Sequence, residues 1–152
     1  MNLRKLLISL VIVFLAAAIG SLFTSNSISG WYSTLVKPSF SPPNWVFGPV
    51  WTTLYILIAI SLYLVWNKNK LKSVALYSFS LQLLLNVFWS TIFFGLHSPV
   101  YAFICIILLW LSVIWNMLEF YKISKISAYL LVPYLLWVSF ATILNYYVVV
   151  LN

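Results

Sequence analysis

Five long apolar runs, separated by short polar stretches, dominate the pattern along this chain. The runs cover residues 6–23, 45–66, 73–96, 100–121 and 126–150. Each is long enough to cross a hydrocarbon core of about 30 Å as a helix. The runs are continuous, whereas the strands of a membrane barrel would alternate between apolar and polar residues over about ten positions. The pattern predicts an all-α integral membrane protein, a single domain built as a bundle of five transmembrane helices.

The first connection, residues 24–44, is too long for a simple link between two helices. It contains Trp31, Tyr32 and Phe40, and three prolines that restrict the backbone, Pro38, Pro42 and Pro43. Ordered loops of this length are usually functional. We therefore expect a lid loop between helices 1 and 2 that folds over the end of the bundle. An anchor at headgroup depth, where Trp and Tyr are common, is the alternative.

The basic residues predict an orientation. With five crossings, seven of the eight cations fall on one side and only Lys37 falls on the other; the seven are Arg4, Lys5, Lys68, Lys70, Lys72, Lys122 and Lys125. Cytoplasmic loops carry the excess of Lys and Arg. We expect a multi-pass protein of the cell membrane with a cytoplasmic N-terminus, and with the C-terminus and lid loop outside. The first run, which ends near Ala16–Ala18, also resembles a cleaved signal, and cleavage would leave four helices in the same orientation.

Composition narrows the possible chemistry. The chain is 64% apolar and 6% charged, with a mean hydropathy of +1.08, which argues against a soluble enzyme, a disordered chain or a nucleic-acid partner. Glu119, His97 and Cys105 are the sole acid, histidine and cysteine. Paired-carboxylate hydrolysis, a zinc site and an intrachain disulfide are therefore excluded. We interpret His97 as an interfacial residue rather than an axial metal ligand, Cys105 as a core residue and Glu119 as a locally paired charge.

Aromatic and hydrogen-bonding side chains recur at helical spacing on three of the runs. Positions three or four apart share a helix face, and polar side chains in a membrane helix avoid lipid. The three stripes are Trp51, Tyr55 and Ala59; Gln82, Asn86, Trp89 and Ser90; and Tyr134, Trp137, Ala141 and Asn145. If the stripes converge, they enclose an aromatic cavity suited to a flat apolar ligand with polar edges. Packing or an interfacial belt is the alternative for each aromatic. Pro133 predicts a kink in the fifth helix.

Three sequence blocks make the pattern specific. They are WYxxLxKPxxxPPxxxFxPVWxxLY over residues 31–55, NxxWSxxFF over residues 86–94, and PYxxWxxFATxLNY over residues 133–146. The blocks, in this order, resemble those of the TspO/MBR family. The resemblance implies a bundle of five transmembrane helices that forms a homodimer. No cation follows Tyr146 and Tyr147, which is typical of a bacterial-type member and argues against the proposed sterol motif of animal members.

The resemblance also implies a function. Members of this family bind porphyrins and other tetrapyrroles, and isoquinoline carboxamide or benzodiazepine-like ligands, inside the bundle below the first loop. The ligand contacts it implies are Trp31, Tyr32, Pro42, Trp51, Asn86, Ser90, Trp137 and Ala141. A membrane receptor or sensor follows, with porphyrin as a ligand and no required cofactor. The alternatives are a tetrapyrrole transporter, or an enzyme that degrades porphyrin with light and oxygen through Trp51 and Trp137.

Overall fold

A computed structural model describes residues 2–68 and 73–152, and this part of the chain is helical with no strand. Five helices, counting the bent fifth span as one, are long and apolar enough to cross a membrane, which confirms the predicted fold class. In chain order the elements are α1 (Leu3–Ile28), α2 (Trp31–Thr34), α3 (Asn44–Asn67), α4 (Ser73–Ser90), a π-helical segment (Thr91–Gly95), α5 (Pro99–Tyr121), α6 (Lys125–Leu130) and α7 (Val132–Leu151).

The distribution of side chains is that of a membrane bundle. Large apolar residues such as Leu15, Leu22 and Leu136 are exposed on the outside, whereas Ser61 and Gln82 are buried. Spans of 23 to 27 residues rise about 35–40 Å at 1.5 Å per residue, which exceeds the hydrocarbon thickness of about 30 Å. The chain therefore exposes its apolar surface to lipid and keeps its polar groups inside.

The helices form a closed ring in which α1 packs against α3 and α4, and α5 packs against α4, α6 and α7. α3 meets the fifth span mainly through α6. Two reciprocal bonds join them there: Ser61 Oγ donates to the carbonyl of Ser127 at 2.8 Å, and Ser127 Oγ donates to the carbonyl of Ser61. Toward the other end of the bundle α3 and α7 meet through aromatic rings: Trp51 lies 6.3 Å from Tyr134, and Phe47 lies 6.2 Å from Trp137.

The cations of three separate segments lie at one end of the bundle, called here the basic end. Lys5 Nζ donates to the carbonyl of Trp66 at 3.0 Å, and Lys68 Nζ donates to that of Ile123 at 3.2 Å. These bonds place the N-terminus beside the end of α3, and Lys68 beside the connection between α5 and α6, as five crossings require. Lys70 and Lys72 lie outside the described residues. Lys37 lies at the opposite end, the loop end. Glu119 pairs with Lys122 at 2.5 Å, as interpreted from the sequence.

The first connection is shorter than predicted, because α1 continues to Ile28 rather than ending at residue 23. Thr24 and Ser25 donate to the carbonyls of Gly20 and Ser21 at 3.1 and 2.7 Å, so their side chains stay within the helix. The lid loop is therefore residues 29–43 and includes the single turn of α2.

In the fifth span the helix breaks at Leu131, two residues before Pro133, as the proline predicts.

Candidate functional site

A cavity of about 470 Å³ lies in the loop-end half of the bundle, between α1, α3 and α4. α1 contributes small residues to its wall, including Ala17 and Gly20. The opposite wall is aromatic and consists of Phe47, Trp51, Tyr55, Trp89 and Phe94. Among the described residues that line the cavity none carries a formal charge, so the cavity suits an apolar guest.

The floor of the cavity is a buried chain of hydrogen bonds that joins three spans. Tyr55 OH donates to Asn86 Oδ1 at 2.8 Å, and Asn86 Nδ2 donates to Tyr134 OH at 3.0 Å. The Trp51 ring stacks above Tyr55 with centroids 5.4 Å apart, and meets Tyr134 edge-on at 6.3 Å. The amide of Asn86, predicted to face a ligand, thus also links α3, α4 and α7. These contacts fix the position of the Trp51 ring.

Hydroxyl groups join α1 to α4 beside the cavity. Ser90 Oγ donates to the carbonyl of Gly20 at 2.9 Å and lies 2.8 Å from Thr24 Oγ1. A Cβ atom added at Gly20 would lie 3.6 Å from the Cβ and Oγ atoms of Ser90, which is ordinary contact. Ser90 therefore lines the cavity, but its proton is already used in the contact between helices.

The lid is packed onto the loop end by aromatic contacts. Trp31 stacks on His97 with centroids 4.5 Å apart. Tyr32 is buried, and its ring lies 6.1 Å from Phe93 and 5.7 Å from Phe94. Burial raises the pKa of the Tyr32 phenol above its ordinary value, because the charged form would be poorly solvated there. Lys37 Nζ donates to the carbonyl of Tyr32 at 2.9 Å, which is a hydrogen bond between two parts of the lid.

The π-helical segment explains how α4 reaches the lid. Its wider turn places two successive rings, Phe93 and Phe94, inside the bundle with centroids 4.8 Å apart. An ordinary helix would turn neighbouring residues about 100° apart. Gly95 ends the segment, and a Cβ atom there would lie 2.8 Å from Phe23 Cδ1. Pi-helical turns often occur at functional sites, and this one shapes the wall that cavity and lid share.

Known proteins resemble this chain along most of its length. The family model described as the TspO/MBR family matches residues 8–151. The chain belongs to the TspO/MBR family. It is 47% identical over 137 residues to the tryptophan-rich protein TspO of Chlorobaculum tepidum, covering 88% of this chain and 86% of the relative. Identity to the Archaeoglobus fulgidus protein of the same name is 43% over 157 residues, which cover 100% of this chain and 99% of the relative. Identity to the human translocator protein is 38% over 136 residues, which cover 87% of this chain and 80% of the relative.

In this TspO/MBR family member, three of the eight predicted ligand residues line the main cavity: Trp51, Asn86 and Ser90. Tyr32 and Ala141 line a second space of about 30 Å³, which shares Phe47, Trp89 and Phe94 as walls with the first. Whether any of these residues touches a ligand stays a prediction.

The other three predicted residues line neither space. Trp31 and Pro42 belong to the lid, and Pro42 is half-buried there. Trp137 is half-buried behind Phe47, at a centroid distance of 6.2 Å. The structure therefore does not bring all eight into one chamber, and the Phe47 ring lies between Trp137 and the main cavity.

Sequence reasoning missed the cavity residues on α1 and, in the aromatic wall, Phe47 and Phe94, and it underused Tyr55 and Trp89. Tyr55 and Trp89 were on the predicted stripes, but only Trp51, Asn86 and Ser90 were chosen from these two helices. Phe47 lies four residues before Trp51, so the helical spacing already extended that stripe. Phe94 faces inward because of the π-helical segment, which no sequence pattern indicated. Asn145, on the fifth-span stripe, accepts from Trp89 Nε1 at 3.1 Å and so positions a wall residue.

Proposed function

We propose that this multi-pass membrane protein is a receptor or sensor that binds porphyrins and other tetrapyrroles in the main cavity. Flat drug-like molecules of the isoquinoline carboxamide and benzodiazepine type would occupy the same space. The observation that carries the proposal is an uncharged cavity of about 470 Å³ with indole, phenol and phenyl rings on one side. Small-molecule sites are typically 300–1,000 Å³ and largely apolar. Membership of the TspO/MBR family supports the sensor or receptor role.

The chemistry of the walls suggests how such a ligand would sit. Trp51, held from below by Tyr55, offers an indole face on which a flat ring can stack. Asn86 and Ser90 place an amide and a hydroxyl beside that face. No charged group lines the described wall, so the carboxylates of a porphyrin would remain at the mouth of the cavity. There they would meet the polar side chains of Ser25 and Asn44.

Binding can be tested with protoporphyrin and protein reconstituted in lipid nanodiscs, kept in the dark. Saturable binding should shift the main absorption band of the porphyrin. Trp51→Phe should weaken the affinity by about three- to tenfold, the loss expected for one stacking contact. Trp115→Phe is the matched control, because Trp115 is an exposed indole that lines neither space. Absence of saturable binding, or equal affinity of wild type and Trp51→Phe, would overturn the proposal.

The same samples distinguish a receptor from an enzyme. After binding is complete, they are illuminated in the presence of oxygen and the porphyrin spectrum is followed. A receptor leaves the spectrum as it was in a matched sample without protein. A new chromophore that forms with wild type, and is lost in Trp51→Phe and Trp137→Phe, would instead establish light-dependent degradation through these indoles.

A further inference from the structure

The main cavity is open on one side, along the contact between α1 and α3. Besides Phe14 at its deep end, six of the residues that line it are also exposed at the surface of the bundle: Ala18, Ser21 and Ser25 on α1, and Asn44, Gly48 and Thr52 on α3. A residue that faces both the cavity and the exterior marks the rim of an opening. We call the gap between these two rows of residues the side opening.

The rim of the side opening is built from small side chains. A Cβ atom added at Gly48 would meet nothing within 4 Å, so the space beside it is open. The hydroxyls of the rim are bonded within their own helices: Ser21 to the carbonyl of Ala18 at 2.9 Å, Ser25 to that of Ser21 at 2.7 Å, and Thr52 to that of Gly48 at 2.9 Å. An apolar molecule that passes between the rows would leave these hydrogen bonds intact.

The side opening extends from the loop end into the depth of the membrane. Ser25 and Asn44 lie near the helix ends, whereas Ala18 and Thr52 lie ten and eight residues from those ends. At 1.5 Å per residue the deep edge is about 12–15 Å from the loop end, well inside a core of about 30 Å. Phe14 closes the gap below this level, because its ring packs 6.5 Å from that of Tyr55.

The loop face above the cavity, by contrast, is covered. Tyr32 of the lid is buried against Phe93 and Phe94, and Trp31 is stacked on His97. The far part of the lid is bonded to the end of α7, where Val36 N donates to Asn152 Oδ1 at 3.0 Å. Entry from the aqueous side would require these contacts to break, whereas entry from the side requires none of them to move.

We propose that ligands enter and leave the cavity sideways, from the lipid leaflet at the loop end, through the side opening between α1 and α3. The ligand class that fits this route dissolves in the membrane and combines a flat apolar body with one polar edge. The body would pass between the small residues while the edge stays at headgroup depth near Ser25 and Asn44. This inference rests on the proposed binding function and specifies the source of the ligand.

Two neighbouring threonines provide a matched test. Thr52 and Thr53 are both exposed on α3, and both donate to the carbonyl four residues earlier at 2.9 Å. Thr52 lines the cavity rim and Thr53 does not. Protoporphyrin is loaded into nanodisc lipid, and its binding and release are followed by stopped-flow absorbance. Thr52→Leu and Gly48→Leu should each slow both rates by about tenfold or more, since a larger side chain narrows the opening. Thr53→Leu should match wild type.

The results separate this inference from the proposed function. If wild type binds protoporphyrin but Thr52→Leu and Gly48→Leu bind and release it at wild-type rates, the side route is wrong and the binding function stands. If wild type does not bind at all, the proposed function itself fails. If Asn152→Ala speeds both rates while the two leucine variants have no effect, the ligand enters under the lid instead. Equal melting temperatures of the three leucine variants would show that the rates report access rather than damage to the fold.

Discussion

Two buried side-chain amides on α4, one turn apart, differ in their hydrogen bonding. Asn86 bonds to Tyr55 and Tyr134, whereas the amide oxygen and nitrogen of Gln82 have no partner among the described residues. Gln82 is only 1% exposed. A buried polar group without a partner costs about 1–3 kcal/mol, and an apolar side chain of similar shape removes that cost. The two positions are therefore expected to respond in opposite directions to the loss of the amide.

Gln82→Met should raise the free energy of unfolding by about 1–3 kcal/mol, because it removes an unpartnered amide while keeping the volume. Asn86→Leu should lower it by about 0.6–2 kcal/mol, since the phenols of Tyr55 and Tyr134 lose their link. Thermal unfolding in detergent, followed by circular dichroism, measures both variants against wild type. A lower melting temperature for Gln82→Met would contradict the prediction and show that this amide is stabilised in the folded protein.

At the scale of elements, the side chain of Asn152 forms hydrogen bonds between the lid and the end of the last helix. Val36 N donates to Asn152 Oδ1 at 3.0 Å, and Asn152 Nδ2 donates back to the Val36 carbonyl at 3.0 Å. The same nitrogen also donates to the carbonyl of Val148 at 2.9 Å. The amide of Asn152 thus pairs with the backbone of residue 36 much as a neighbouring strand would. This pairing links the position of the lid to that of α7.

Asn152→Ala should therefore loosen the lid without unfolding the bundle. Hydrogen exchange at the Val36 amide should speed up by about tenfold, since two bonds of about 0.5–1.5 kcal/mol each are lost. Asn152→Asp should give an exchange rate between those of wild type and Asn152→Ala, because its carboxylate still accepts from Val36 N but cannot donate to the Val36 carbonyl. Asn26→Ala is the control, since Asn26 bonds only within α1, to Leu22. Unchanged exchange in Asn152→Ala would mean that the lid is held by its aromatic contacts alone.

The elements also show what the sequence could and could not predict. The five spans follow from the lengths of their apolar runs, and the break at Leu131 follows from Pro133. The end of α1 was misplaced because Thr24 and Ser25 suggest a loop by composition, yet their hydroxyls bond to their own helix. A stripe of side chains at helical spacing identifies the face of a helix that points inward. It does not show which neighbouring helices lie close enough to share one cavity. For that reason Trp137 was assigned to a chamber from which Phe47 separates it.

At the scale of the whole molecule, α1 is part of the site rather than an accessory segment. It supplies Ala17, Gly20 and Thr24 to the cavity wall and half of the side opening. Cleavage after Ala16–Ala18, the alternative raised by the sequence, would remove the inner part of α1, which includes Phe14 and Ala17 of the cavity wall. The binding function and the sideways route both require that α1 stays attached.

The separation of charge between the two ends predicts an orientation in the membrane. Arg4, Lys5, Lys68, Lys122 and Lys125 mark the basic end, so this end should face the cytoplasm and the lid should face outward. Single cysteines at exposed positions, Ser39→Cys in the lid and Asn67→Cys at the basic end, test this in a Cys105→Ala background. A membrane-impermeant maleimide should label Ser39→Cys in intact cells, and Asn67→Cys only after lysis. The reverse pattern would place the lid, and the mouth of the cavity with it, in the cytoplasmic leaflet, so that ligands would be drawn from inside the cell.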